Sequence, residues 1–378
     1  MADALADAHD RGEAVAPVGG GTALGIGNVP ERVDRVLSTA GLSGIIDYEP
    51  TDLVLSVGAG TKFGDVQAIL AEHGQRLPLD PPGASEATIG GLIATARWGP
   101  LRTSAGTLRD LLIGISVAHP SGTVSRAGGM VVKNVSGYDM PRLYHGSLGT
   151  LGVIVSANFK VLPRPRAEAT VVATVETLEA AFAIAAAVRG GPDPFAALEV
   201  TSHSEAWHVA VRSEGREQTV AAIIDRVKAS VSGETIALWA DESSRWWGVY
   251  GEQQSATHGV LVRCAVRPKS TQTLAAGIRG AMNVLGVSVP CLAASPALGT
   301  VIAALEFGDT GSPERLAEVQ AILIDLADTT TILDAPPAWK HGLDVWGPPP
   351  EGFAIMRALR EQFDPGRVIN PGRFAGFL

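Results

Sequence analysis

The chain has 378 residues, 46% of them hydrophobic and 18% charged, with a formal net charge of −9; this is enough for two or three domains with a sizeable core, and it excludes a disordered chain. The charges are scattered and form no basic run, which argues against a nucleic-acid surface or a polybasic membrane patch. The two cysteines, Cys264 and Cys291, make no CxxC or clustered pattern, which excludes an iron–sulfur cluster or a cysteine zinc site; with no ~20-residue apolar run and no basic-then-apolar leader, a reducing, cytosolic setting is expected.

In chain order, a helix is expected over Ala2–His9, then the short apolar run Ala14–Pro17. The next stretch is Pro17-Val18-Gly19-Gly20-Gly21-Thr22-Ala23-Leu24. Three consecutive glycines remove every β-carbon from one bend, so the backbone can turn its N–H groups inward together. Such a concave set of N–H groups binds anions, and Thr22 adds a hydroxyl. On these residues alone a flexible turn and an anion cradle both remain open.

Val33–Leu37 and Gly44–Tyr48 read as short extended segments, and Asp52–Val57 as a strand. Thr61–His73 has helical spacing, with Phe63, Val66, Ile69 and Leu70 on one face and Gly74 closing it. Gly58-x-Gly60-x-x-x-Gly64 is close to a dinucleotide turn, but its third glycine is one place late and Asp80 is followed by Pro81-Pro82; a tight strand-to-helix turn is expected instead. Pro81-Pro82-Gly83 then leads through Thr88-Ile89-Gly90-Gly91 into a small-residue helix over Leu92–Ala96 that includes Thr95. Gly99–Asp110 has little periodicity but many hydroxyls, among them Ser104 and Thr107, around Gly106. Leu111–Ala118 is a strand, with a hairpin turn at Pro120–Thr123. Lys133–Asp139 runs on into Gly146–Ile154. The Gly146–Gly149 stretch lacks the first glycine of a nucleophile elbow, and the sequon Asn134-Val135-Ser136 has no secretory context. Val153–Leu162 closes the first domain.

Pro163-Arg164-Pro165-Arg166 is a natural boundary. Strands are expected at Thr170–Val175, Ala196–Thr201, Trp207–Arg212, Val260–Val266, Val287–Cys291 and Val301–Phe307. Helices are expected at Leu178–Arg189, Gln218–Val231, Thr273–Val284 and Glu314–Asp328. This alternation describes an α+β domain with an antiparallel sheet. Trp239, Trp246 and Trp247 suit either an exposed docking patch or a domain core. A linker over Trp339–Pro350 and a helix over Phe353–Phe363 follow.

In this order the segments resemble the PCMH-type (vanillyl-alcohol-oxidase-like) FAD-binding flavoproteins. The matching stretches are Pro17–Leu24, Thr88–Gly91, Lys133–Asp139 with Gly146–Ile154, and the terminal Asn370-Pro371-Gly372-Arg373. Leu77–Pro82, Val161–Pro165, Asp344–Gly347 and Phe363–Phe374 look most like the E-type FAD-binding subunit of bacterial glycolate oxidases. The resemblance implies an α+β protein: a PCMH-type FAD-binding domain of two α/β subdomains (1–166), an α+β cap with an antiparallel sheet (167–338), and a C-terminal segment (339–378) returning to the first domain. It implies that Pro17, Val18, Gly19, Gly20, Gly21, Thr22, Ala23 and Leu24 cradle a pyrophosphate. Pro82, Gly83, Thr88, Ile89, Gly90, Gly91 and Thr95 belong to the same groove. Ser104, Gly106 and Thr107 reach the phosphate or ribose side, Gly152 and Ile154 the adenine end, and Asn370 the flavin ring. Arg109 and Asp110 are read as an ion pair or loop anchor. Relatives that hold flavin covalently use a His in the first glycine loop; here there is neither His nor Cys, so non-covalent FAD is expected.

Oxidising a 2-hydroxy acid needs a base, a cation for the carboxylate and a hydride acceptor. The eight histidines, at 9, 73, 119, 145, 203, 208, 258 and 341, form no HH, HxH or HxxxH, so no metal site is expected. Arg263 is the best cation for the carboxylate, with a cross-strand salt bridge as the alternative. The resemblance therefore implies a glycolate oxidase-like FAD subunit that carries electrons, partnered by a D-type FAD-linked oxidase subunit and an iron–sulfur subunit. The alternatives are a free-standing FAD-dependent oxidase or dehydrogenase of a small alcohol or hydroxy acid, and a non-redox structural flavoprotein subunit.

Overall fold

Hydrophobic spacing dictates the N-terminal half. The computed structural model describes residues 1–131, 137–203, 206–231, 233–254 and 259–378. Helix α1 (Ala2–Asp10) turns Leu5 and Ala8 inward. Strand β1 (Val15–Val18) pairs in parallel with β2 (Arg35–Ser38). Strands β3 (Ile45–Glu49), β4 (Val54–Gly58), β5 (Leu112–Ala118), β6 (Val124–Gly128) and β7 (Val153–Lys160) make an antiparallel sheet in the order β3-β4-β7-β5-β6. Helix α2 (Phe63–Glu72) buries Phe63, Val66 and Leu70, and α3 (Ile89–Thr95) buries Ile89, Leu92 and Ile93. Both pack into one core with Leu55, Val57, Ile115 and Phe159 of the sheet, so β4 is buried along its whole length. A β-carbon on Gly58 would strike the Leu42 carbonyl, and one on Gly60 the Thr39 carbonyl. Those glycines permit close backbone packing after a strand, as expected for a tight turn.

The second sheet is built from β8 (Ala167–Val175), β9 (Ala197–His203), β10 (Ala206–Gly215), β11 (Glu234–Trp239), β12 (Val260–Ala265), β13 (Ser288–Ser295), β14 (Thr300–Glu306) and β15 (Thr329–Asp334). Its order is β11-β8-β10-β9-β13-β14-β12-β15, with antiparallel neighbours throughout. One face is covered by α4 (Leu178–Gly190), α5 (Glu217–Ser230), then, past α6 (Asp241–Gln253), by α7 (Thr271–Leu285) and α8 (Pro313–Leu326). Helix α5 shows why: Val220, Ile223, Ile224 and Val227 recur at helical spacing and are its buried residues. Strands β11 and β15 and helix α6 were not anticipated from the sequence.

Helix α6 covers part of the other face. It sets Trp247 and Tyr250 against Val172, Ala197, Ala210 and Ala293. Of the two readings of the Trp-rich stretch, the buried one fits: Trp247 is 7% exposed and Trp246 stacks on Tyr250 with ring centroids 5.6 Å apart. Trp246 is half-buried and Trp239 is 39% exposed. The docking-patch reading fails because Trp247 is spent on the sheet.

The stretch expected as a linker is packed. Trp339 meets Phe307 edge-on at 5.5 Å, Val345 is fully buried, and the Ile332 N–H donates to the Val345 carbonyl at 2.8 Å. After α9 (Phe353–Phe363) the chain returns to its beginning. The Val15 N–H donates to the Val368 carbonyl at 2.6 Å, and the Asn370 N–H to the Val15 carbonyl at 2.9 Å. A buried Arg360–Asp364 pair at 2.7 Å braces this return.

Candidate functional site

One cleft gathers most of the residues singled out in the sequence. Pro17–Leu24, Thr88, Gly90, Gly91, Thr95, Gly152, Ile154 and Asn370 line it, together with Thr39, Ala94, Leu148, Gly149, Val153 and Arg373. The glycine loop leaves β1 and bends across the start of α3. Among the described residues, the N–H groups of Gly20 through Gly25 donate to no carbonyl or side chain. A β-carbon on Gly19 would collide with the Thr88 hydroxyl, and one on Gly20 with the Glu86 carbonyl. The loop can approach α3 only because it is glycine.

Thr88 caps α3 by accepting from the Gly91 N–H at 3.3 Å, and the Thr95 hydroxyl donates to the Gly91 carbonyl at 2.7 Å. Asn370 donates through Nδ2 to the Leu148 carbonyl at 2.8 Å, while its buried Oδ1 has no partner. Asn370 holds a φ of 45° and Leu148 one of 52°, a left-handed conformation that Asn tolerates better than Leu.

Arg97 donates to the Thr22 carbonyl at 3.5 Å, and the carbonyls from Ala23 to Gly27 meet two further cations. Arg373 donates to the carbonyls of Ala23 (3.3 Å), Leu24 (2.9 Å) and Ile26 (3.2 Å). Lys340 Nζ donates to those of Gly25 (2.6 Å) and Gly27 (3.1 Å). Burial lowers the pKa of both, and Asp334 pushes Lys340 back up. Arg373 was noted in the sequence only as part of the terminal motif, and Lys340 was missed. Their partners are backbone carbonyls more than 300 residues away in the chain, for which no local spacing gives a signal.

Other singled-out residues lie elsewhere. Ile89 is wholly buried in the N-terminal core. The Pro82 carbonyl accepts from Arg97, and Gly83 takes a φ of 64° ahead of a short 3-10 turn. Ser104 lies on the short helix Arg102–Ala105 and bonds back to the Leu101 carbonyl. Thr107 and Asp110 form a reciprocal capping box on Leu108–Leu111, and Gly106 leaves room for the Asp110 carboxylate. None of these lines the cleft. Lys133–Ser136 of the Lys133–Asp139 motif, and His258, lie outside the described residues. Among the described residues no three His, Cys, Asp or Glu side chains converge to hold a metal ion, and no helix is long and apolar enough to cross a membrane.

Arg263 stands on the face of the second sheet opposite its helices, because its strand neighbours Val262 and Cys264 point into the helical core. Its guanidinium lies 5.9 Å from the centre of the Trp98 ring, and Arg102 lies 4.4 Å from the same ring. Among the described residues neither arginine has an ion-pair partner; burial, and then Arg102, lower the Arg263 pKa. The alternative reading of Arg263, a cross-strand salt bridge, is not found among those residues.

A larger cavity, about 410 Å³, shares no residue with the cleft. It lies where the two sheets meet and is bordered by buried charge. Arg212 reaches Glu168 at 2.6 Å, Asp80 at 3.3 Å and Glu214 at 3.4 Å, and Arg76 pairs with Glu214 at 2.5 Å. Burial raises Asp80 to about 6 despite Arg212. Deeper in the sheet, burial raises Glu199 to about 8. Glu199 accepts from the Tyr250 hydroxyl at 2.7 Å and from Ser295 at 2.7 Å.

Residues 1–128 match the family described as FAD binding domain. Glycolate oxidase subunit GlcE of Escherichia coli is 37% identical over 212 residues, 56% of this chain and 56% of GlcE. The chain's match thus spans little more than half of that relative. Glycolate oxidase subunit GlcD of Bacillus subtilis is 24% identical over 95% of this chain and 83% of its own length. An alkyldihydroxyacetonephosphate synthase structure aligns with 97% of this chain and 74% of its own, with a TM-score of 0.68 at 16% identity, a likeness of fold. The free N–H row of the glycine loop thus lies inside the stretch, residues 1–128, that matches the FAD binding domain.

Proposed function

We propose that this chain is the FAD-holding subunit of a glycolate oxidase-like 2-hydroxy-acid dehydrogenase complex and carries its flavin non-covalently. The observation that carries the reading is the row of unmet N–H groups from Gly20 to Gly25 in a loop without His or Cys. Such a row suits the two negative charges of a pyrophosphate. The orphaned Asn370 Oδ1 in the same cleft is an acceptor still wanting a donor. In this reading Pro17–Leu24, Thr88, Gly90, Gly91 and Thr95 hold the pyrophosphate end, and Gly152 and Ile154 border the adenine. Residues 1–166 form the FAD-binding part, 167–338 a cap, and 339–378 the returning segment. Bound FAD supplies hydride acceptance and onward electron transfer. The chain's own residues hold and orient it. A D-type FAD-linked oxidase subunit and an iron–sulfur subunit are the partners, in a cytosolic setting.

The test is the visible spectrum of the purified chain before and after acid precipitation. A flavin band that moves to the supernatant supports the reading. A folded, colourless chain that cannot be reconstituted with FAD overturns it.

Arg263 and Arg102 favour a second reading, a free-standing dehydrogenase. Two guanidinium groups beside one Trp ring, with no carboxylate at ion-pair distance among the described residues, suit a small carboxylate ligand. Turnover of glycolate or D-lactate by the isolated chain with an artificial acceptor supports this reading; flavin that stays oxidised under those conditions counts against it.

A further inference from the structure

We propose that Lys340 and Arg373 are the positioning residues of the cofactor loop: they fix which way its peptide groups face, and so set FAD affinity from outside the matched FAD binding domain. The proposal rests on the FAD reading of the cleft.

In a trans peptide the carbonyl of one residue and the N–H of the next point in opposite directions. Arg373 and Lys340 together hold the carbonyls of Ala23, Leu24, Gly25, Ile26 and Gly27. Holding the Ala23 and Leu24 carbonyls turns the Leu24 and Gly25 N–H groups to the other side, where they meet no acceptor among the described residues. The clamp and the free donors are therefore two faces of the same peptide groups.

The electrostatics point the same way. Lys340 is 4% and Arg373 9% exposed. A buried cation is costly unless it is hydrogen-bonded and neutralised. Here the hydrogen bonds are made by loop carbonyls, and among the described residues neither cation has a carboxylate within ion-pair distance. Asp334 acts on Lys340 only at longer range. A simple staple for the C-terminal segment would be better served by an acid, as Arg360 is by Asp364. Two buried positive charges left behind an anion-binding loop favour a ligand that brings negative charge. Arg373 itself also borders the cleft, so the phosphates are not met by neutral dipoles alone. Gly25 makes the approach possible, since a β-carbon there would run into the Asp334 carboxylate.

The experiment uses the full chain, stripped of flavin, as wild type and as Lys340→Met and Arg373→Lys. Lys340→Met keeps the length of the side chain and removes its charge. Arg373→Lys keeps the charge and removes the planar fork that spans three carbonyls. Affinities for FAD and for ADP, which has the pyrophosphate but no flavin ring, are measured by titration, and the stability of each flavin-free chain by thermal melting. The expected result is a loss of at least tenfold in affinity for both ligands, with Arg373→Lys melting close to the wild type. Wild-type affinity for both ligands in a folded Arg373→Lys chain overturns the clamp, as does a loss confined to FAD. A wild-type chain that binds neither ligand overturns the cofactor reading itself.

Discussion

The glycine-loop cleft and the junction between the two sheets are both polar, but they are made of different material. The cleft presents main-chain N–H groups, held by a glycine run that no other residue could replace. The junction presents side chains: Arg212 among three carboxylates and Arg263 with Arg102 beside Trp98. Backbone recognition leaves a local trace in sequence, because removing β-carbons is a local act. Side-chain recognition depends on strands far apart in the chain arriving in one place.

Three substitutions break or sharpen that contrast. The largest effect is expected from Gly20→Val, whose β-carbon meets the Glu86 carbonyl. FAD retention after desalting should fall at least a thousandfold, about 4 kcal/mol, while the second sheet keeps its secondary structure by circular dichroism. Flavin retained at wild-type level would mean that the cleft is not built on backbone. Next is Arg212→Met at the junction. It leaves Asp80, Glu168 and Glu214 facing one another without their shared cation, and loss of one member of a buried pair costs about 3 kcal/mol or more. Denaturant unfolding should register that loss, with a smaller change in FAD affinity than in Gly20→Val.

The remaining effect is a pH slope. Burial raises Glu199 to about 8 and Asp80 to about 6, whereas in the unfolded chain both titrate near ~4. The folded chain thus holds protons that the unfolded chain has already released. Stability contributed by these groups is full below the unfolded pKa and falls as pH rises through the folded one. Melting temperature should decline from about pH 5 toward pH 8. Glu199→Gln keeps an acceptor for Tyr250 and Ser295 and should flatten the part of the slope above pH 6, leaving the Asp80 part below it. An unchanged slope above pH 6 would show that Glu199 is not the group responsible.

The sequence was most readable where physics is local. The periodic apolar residues of Glu217–Ser230 located a helix within a residue at each end, and Phe353–Phe363 appears over its expected span. Strand Thr329–Asp334 was not readable, because a run of three threonines shows no alternation until the neighbouring strand buries Thr330 and Thr331. Helix Asp241–Gln253 was obscured by Trp246 and Trp247, adjacent residues that face a sheet and each other rather than marking a stripe. In the candidate site the glycines were visible and their two cations were not. Gly19–Gly21 can be recognised from the letters alone, whereas Lys340 and Arg373 have meaning only once the chain has come back to its start.

That return also orders events during synthesis. Strand β1 and the glycine loop leave the ribosome long before Val368 and Asn370, which complete the Val15 backbone. Until those late residues emerge, β1 has only β2 beside it and the loop carbonyls lack Arg373. A nascent chain therefore has no finished seat for its cofactor. A ribosome stalled before Val368 displays the whole matched domain without the groups that close it.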